Sequence, residues 1–327
     1  MTTMDSQLGV VDEVTYGTPV TVTRFFEFNE LGFDPQHGRV ESKGIRPGTR
    51  TQRSDRFEPY PMGAKCPIVL DVPTKGFGWW LKHMLGAVAT GTVTDANYVH
   101  TGTEASLLGD FFTMQANFPL NPAGTSQPVT LHGCKVESWE LSCDSEGVLM
   151  ASIDIDAEDY DSTTGLATAS YPTDYRIFSF AGASLEIAST SVDIYNFTVS
   201  GDNNLDTDRR YLRASALKKE PVENGFRTYE WGCTVDFDSL TQFNRFRAAA
   251  RADTLAEIVA TFDGPIAHGG TTLPRLEVTI PAARFDATGG PAISGPEALK
   301  LDLSGIATDD GTNSPVTITY RTTDATP

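Results

Sequence analysis

Val129-Thr-Leu-His-Gly-Cys134-Lys-Val-Glu-Ser-Trp139-Glu-Leu-Ser-Cys143 is followed by Asp144-Ser-Glu-Gly147, and then by Val148-Leu-Met-Ala-Ser-Ile153-Asp-Ile-Asp-Ala157-Glu-Asp159. Apolar and polar residues alternate through both long runs, the period of a strand with one buried face. The Asp-Ser-Glu-Gly stretch has turn chemistry, so the two runs predict a hairpin whose first strand is bent or split. Asp154, Asp156 and Glu158 fall on alternate positions and hence on one face. The same period, rich in Val, Ile, Thr, Phe and Tyr, recurs at 22–29, 66–72, 111–118, 184–188, 192–200, 227–237, 257–262, 275–280, 299–306 and 316–321. A mainly β fold follows.

Two segments carry a helical period instead. In Lys75–Leu85, the residues Phe77, Trp80, Leu81, Met84 and Leu85 form one apolar stripe, with Thr74 as cap and Gly86 as stop. Adjacent Trp79 is expected at a rim or a subunit contact. In Ser239–Ala252, Leu240, Phe243 and Phe246 line one side, with Asp238 or Ser239 as cap and Arg245, Arg247 and Arg251 elsewhere. The two segments start about half a chain apart. Each follows a strand opening on a cysteine, Cys66 or Cys233, and each precedes further strands. The last of these end in Ala157-Glu-Asp159 and Ala307-Thr-Asp309. The pattern predicts two units, 1–165 and 175–327, around the polar run Asp161–Ser170. The competing reading is one large β domain with two coincidentally placed helices.

Charge is uneven. The chain of 327 residues has a net charge of −18, which argues against a general nucleic-acid binder and against docking on an anionic membrane. Residues 39–56 nevertheless hold Arg39, Lys43, Arg46, Arg50, Arg53 and Arg56 against two acids, while residues 83–175 hold Lys135 as their one Lys or Arg against thirteen acids. The basic run reads as a long exposed loop, either a contact element or a solvated loop with no partner.

Catalytic and metal motifs are absent or incomplete. Asp202, Asn204, Asp206 and Asp208 begin like a calcium loop, but Thr207 stands where glycine is required and Arg213 where the bidentate glutamate belongs. The five histidines share no ligand spacing, and the four cysteines form no CxxC pair and suit an apolar core. No cofactor or metal is expected. No leader sequence and no membrane span are expected either, because the N-terminus lacks basic and apolar regions and no apolar run is long enough.

Several phrases resemble the tail tube (major tail) proteins of long-tailed, siphovirus-type bacteriophages. These are Glu13-Val-Thr-Tyr16-Gly17-Thr18, Arg39-Val-Glu-Ser-Lys-Gly-Ile45-Arg46-Pro-Gly-Thr-Arg50 and the Gly76–Gly86 helix. Phe112-Thr-Met-Gln115, Gly133-Cys-Lys-Val136 and Asp202-Asn-Asn-Leu205 also match, as do Ile280-Pro-Ala-Ala-Arg-Phe-Asp286, Pro291–Leu299 and Val316–Asp324. The resemblance implies tandem β-sandwich or barrel units, each with one flanking α-helix. Their inner strands would join those of neighbouring subunits around a channel. It also implies rings stacked head-to-tail, of three doubled chains or of six, in a virion tail assembled in the host cytoplasm. Tape-measure, tail terminator and baseplate or tip proteins would be the partners, and genomic DNA would pass through without specific binding. The basic residues of 39–56 are then expected in a ring-stacking loop. Glu137, Glu140, Asp154, Asp156, Glu158 and Asp159 are expected on an acidic lumen or stacking face. The alternatives are a carbohydrate-binding or glycan-hydrolysing β protein, which needs an aromatic groove near carboxylates, and another tail or capsid component such as a terminator or decoration protein.

Overall fold

The structure, a computed structural model, describes residues 3–92, 95, 97–119, 125–238, 240–249, 255–268, 270–286, 293, 295–296 and 298–327, without the side chains of 246–249. Ser239, Phe246, Arg247, Arg251 and most of the Pro291–Glu297 phrase therefore lie outside the described features. In chain order the first part comprises β1 (Gln7–Asp12), β2 (Arg24–Phe26), β3 (Glu30–Leu31), β4 (Asp34–Glu41), β5 (Phe57–Lys65), β6 (Ile68–Asp71), α1 (Gly78–Leu85), β7 (Gly86–Thr92), β8 (Tyr98–Glu104), β9 (Phe112–Asn117), β10 (Pro128–Asp144), β11 (Met150–Ala157) and β12 (Asp159–Asp161). The second comprises β13 (Ala183–Ile187), β14 (Thr190–Val192), β15 (Ile194–Asp202), β16 (Leu205–Asp206), β17 (Val222–Glu223), β18 (Thr228–Asp236), α2 (Leu240–Ala249), β19 (Ala256–Asp263), β20 (Arg275–Phe285), β21 (Lys300–Ala307) and β22 (Thr317–Thr322).

All ladders are antiparallel, and two of them run in the same order. The first is β2–β1–β9–β10–β11–β6, and the second is β14–β13–β19–β20–β21–β18. Their registers coincide as well. Leu8 faces Ala116 as Leu185 faces Ala260, Met114 faces Leu131 as Ile258 faces Ile280, and Ile68 faces Ile153 as Cys233 faces Leu303. An extra residue bulges β10 between Leu131 and Cys134, and another bulges β20 between Ile280 and Ala283. A bulge re-aims the strand that carries it, so its position is part of the design. Cys66 and Cys233, by contrast, are two places out of step, because Cys233 stands where Ile68 stands.

The two parts share their sheet and core. β15 lies between β18 and β10, and β22 lies between β20 and β8. One set of buried side chains, from Leu8 to Tyr320, runs through both.

The helices differ from expectation at their ends. Gly76 has φ +84°, a left-handed conformation that a right-handed helix does not contain, so α1 starts only at Gly78. Thr74 does not cap it, and its hydroxyl instead accepts a hydrogen bond from Arg176 N at 2.8 Å. Gly86, with φ +102°, ends the helix as expected. The β7–β8 hairpin and β10 both cover α1, which buries Phe77, Trp80, Leu81, Met84 and Leu85, and Trp79 with them. Trp79 therefore belongs to the core, edge-on to Phe112 at 5.1 Å, and not to a rim. α2 rests mainly on β20. Phe243 is half-buried against Phe237, but Leu240 remains exposed, contrary to the expected packing role.

Strands were expected at 22–29 and at 148–159 without interruption. Of the first, only Arg24–Phe26 is strand, β2, with β3 following just beyond it, and the second divides into β11 and β12 with a break at Glu158. β4 and β5 form a long hairpin through what reads as loop in the sequence, leaving 42–56 as its tip.

Candidate functional site

The alternation quoted at the outset places one set of side chains of β10 and β11 in the core and the other on an open face. Trp139, Leu141, Ile153 and Ile155 are buried, whereas Glu140 and Asp154 are exposed. Pairing across the ladder extends this face. Glu140 lies opposite Ser152 and Ser200, Ser200 opposite Glu230, and Ser138 opposite Asp154 and Asp202. Beyond Glu230, the residues Thr234, Asp236, Asp302 and Ser304 continue it across β18 and β21. The result is a sheet surface of carboxylates separated by hydroxyls, with Lys300 at one margin and Lys65 at the other.

Hydrogen bonds hold several of these side chains in place. Ser138 Oγ donates to Asp154 at 2.8 Å, Thr234 Oγ1 to Asp302 at 2.7 Å and Tyr195 OH to Asp236 at 2.8 Å. Glu230, Asp236 and Asp302 were not singled out from the sequence, and Asp202 was singled out only for other reasons, as the start of the incomplete calcium loop and of a family phrase. The alternation Thr228-x-Glu-x-Gly-x-Thr-x-Asp236 carried the signal.

The six acids expected to act together do not. Glu140 and Asp154 lie on the open face. Glu137 is half-buried and paired with Lys65 at 2.8 Å. Asp156 has the right strand parity, but Lys218 covers it, binding both carboxylate oxygens at 2.7 and 2.6 Å. Burial pushes the Asp156 pKa up and the Lys218 ammonium opposes that shift. Glu158 is buried beyond the strand break, and Asp159, in β12, lies opposite His132 of β10 in the ladder.

Lys218 belongs to a strap between β15 and β18 that crosses the first part of the chain. Arg210 donates to the carbonyls of Pro61 and Met62 at 3.1 and 3.0 Å, Glu220 pairs with buried Lys135 at 2.7 Å, and Arg227 donates to Leu85 O at 2.8 Å. The incomplete calcium motif is the start of this strap. Asp202 Oδ1 accepts from Asn204 N at 2.7 Å, an ordinary turn contact.

The basic residues of 39–56 stand on the projecting β4–β5 hairpin. Arg39, Lys43, Arg46, Arg50 and Arg56 are exposed and Arg53 is half-exposed. Arg53 makes a two-point ion pair with Asp55 at 2.8 and 2.7 Å. Arg39 lies over the Phe57 ring at 5.4 Å. Ile45, among these charges, is 99% exposed.

The Glu13-x-x-Tyr16-Gly17 phrase has a physical role. Glu13 accepts hydrogen bonds from Thr113 Oγ1 at 2.8 Å, Gly133 N at 2.8 Å and Gly17 N at 3.0 Å, tying the N-terminal loop to the kink of β10. Gly17 has φ +72° and abuts the Glu158 carboxylate, where any side chain would collide. Glu158 sits 3.8 Å from His132 Nδ1. Burial, with Arg213 opposing and Glu13 adding like charge, pushes its pKa up to about 7.

A carboxyl whose folded-state pKa is raised binds more protons folded than unfolded, so stability falls as pH rises between its ordinary 4.5 and about 7. Glu158→Gln is therefore expected to raise the unfolding midpoint at pH 8 and leave it unchanged at pH 4. Equal effects at both pH values in thermal melts would rule out ionisation as the cause.

The fold and site define a mainly β protein with a polar sheet surface and a projecting hairpin. Residues 3–307 match the phage tail tube protein family, and the chain belongs to that family. It is thus a structural protein of the virion tail. No curated protein matches it.

Proposed function

We propose that the chain is the repeating subunit of a tail tube, and that the acidic face of β11, β10, β15, β18 and β21 lines the channel. The observation that carries this reading is the clustering of Glu140, Asp154, Asp202, Glu230, Asp236 and Asp302 on one sheet surface. Such a wall repels phosphate, so duplex DNA slides without adhering, and hydroxyls between the carboxylates keep it wet. Acids on a surface that binds nothing would also be soluble. The ordered alternation over five strands, with the apolar complement facing inward, favours a built wall.

The matching order, register and bulges of the two ladders support a tandem duplication, with 1–165 and 175–327 as its units. Three chains then supply six equivalent wedges, and we take the ring to be a trimer. Joining strands between chains removes sheet edges that would otherwise aggregate. Rings stack head-to-tail into an open filament, whose length an outside ruler, the tape-measure protein, must set. Terminator and tip proteins cap its ends.

The basic hairpin reaches the adjacent ring in this scheme. Each exposed ion pair contributes only about 0–1 kcal/mol, but repeated pairs around a ring fix register and polarity. Bare Ile45 at the hairpin tip supplies an apolar contact. Negative-stain electron microscopy of the purified chain is expected to show hollow tubes with a regular axial repeat. Deleting 43–53 is expected to leave folded protein without tubes, because Ser42 N still donates to Arg56 O at 2.8 Å and closes the hairpin. Normal tubes from the deletion would exclude hairpin stacking, and persistently monodisperse full-length chain would exclude the tube.

A further inference from the structure

The junction between the two parts predicts a contact between chains. Phe26 pairs with Leu8 as Val192 pairs with Leu185, and Leu31 pairs with Ile68 as Phe197 pairs with Cys233. Asn29 Nδ2 donates to Asp71 at 2.7 Å as Tyr195 OH donates to Asp236 at 2.8 Å. The segment Phe26–Leu31 is thus the counterpart of Val192–Phe197, residue for residue.

In the second part that segment is occupied. The β10–β11 turn lies against it, with Cys143 opposite Phe197, Asp144 opposite Asn196, and Ser145 N donating to Tyr195 O at 2.8 Å. The cavity remaining between turn and segment is about 200 Å³. In the first part, no turn among the described residues pairs with the corresponding segment. Residues Phe25–Asn29, with Tyr171, Tyr175 and Ile177 and the charged Arg24, Asp71, Lys75 and Asp324, line an open cavity of about 420 Å³. β2 pairs only with β1 among the described strands, so one of its edges borders this groove.

The counterpart of the β10–β11 turn is the β20–β21 connection. Lys135 faces Asp156 as Arg284 faces Ile306. Counting on in sequence from Arg284 gives Ile293 the place of Asp144. Counting back in sequence from Ile306 gives it that of Cys143. Ile293 is 84% exposed, so it is not seated in the groove of its own chain.

The geometry points to a second copy of this chain as the occupant: the connection around Ile293, Gly295 and Pro296 seats in the Phe25–Asn29 groove of the neighbouring subunit. An exposed isoleucine is unfavourable in water, and the aromatic part of a groove of mixed apolar and charged lining, with Tyr171 and Tyr175, offers it cover. The contact rests on the ring assembly proposed above. It deepens that reading by naming the surfaces that meet within a ring.

The test is a cysteine pair in the full chain, Glu30→Cys with Ile293→Cys, at the counterparts of Asn196 and Asp144. Mild oxidation of assembled protein is expected to give disulfide-linked dimers and trimers on non-reducing gels, at least tenfold more than either single cysteine gives. Ile293→Asp is expected to reduce ring and tube yield at least tenfold while its circular dichroism and melting match the unsubstituted chain. Monomers alone from a cysteine-pair sample in which micrographs show tubes would overturn this contact and leave the tube assignment standing. Absence of rings and tubes from the unsubstituted chain would overturn the tube assignment and this contact with it.

Discussion

Lys218→Met is expected to destabilise the protein by about 3–5 kcal/mol, the cost of leaving a buried carboxylate without its partner. Lys218 and Asp156 have side chains only 2% and 3% exposed, and the ammonium contacts both carboxylate oxygens. Methionine preserves much of the volume of the lysine stem, so the loss reports charge more than packing. The double substitution Lys218→Met with Asp156→Leu is expected to recover most of the loss, since replacing both members of a buried pair by apolar groups is often nearly neutral. Denaturant unfolding of the four proteins measures this cycle. A single-substitution loss below about 1 kcal/mol is what a surface pair would give, and would show that the strap does not seal Asp156. The same variant is expected to speed proteolysis between Asp206 and Arg227, because Lys218 is the strap's buried anchor.

Reversing charge on the acidic face is expected to turn a DNA-repelling wall into a DNA-holding one. Glu140, Asp154 and Glu230 are exposed and make no ion pair among the described residues, so Glu140→Lys, Asp154→Lys and Glu230→Lys together leave the core intact. Tubes of the triple variant are expected to protect duplex DNA from nuclease at 50 mM salt. They should lose it by 200 mM, with affinity falling about 10³–10⁵-fold if six to ten phosphates are contacted. Unsubstituted tubes are expected to protect none at either salt. Protection that is equal in the two proteins, or that does not depend on salt, would place the acidic face outside the channel.

The β character of the chain was legible because strand periodicity is local. Trp139, Leu141, Ile153 and Ile155 are buried as their spacing demands, and Glu140 and Asp154 are exposed for the same reason. The α1 stripe was legible because a helix registers its core face within two turns. The hairpin strands β4 and β5 were not, because Gly38, Pro35, Pro59 and Pro61 interrupt the alternation and few of their residues are buried. Nor was the fate of Leu240, since whether a second layer covers a helix depends on a hairpin elsewhere in the chain.

The carboxylate group shows the division most clearly. The sequence by itself determined which of its members share a strand face, because alternate Cβ atoms point the same way whatever surrounds the strand. Only the tertiary structure decided which of them meet solvent. A strap more than fifty residues downstream brings Lys218 onto Asp156, the bend at Gly133 folds Glu158 inward against Glu13 and His132, and pairing with β15 and β18 adds Asp202 and Glu230 to the face. Contacts of that sequence separation are set by closing long loops and burying whole surfaces, and no local period encodes them.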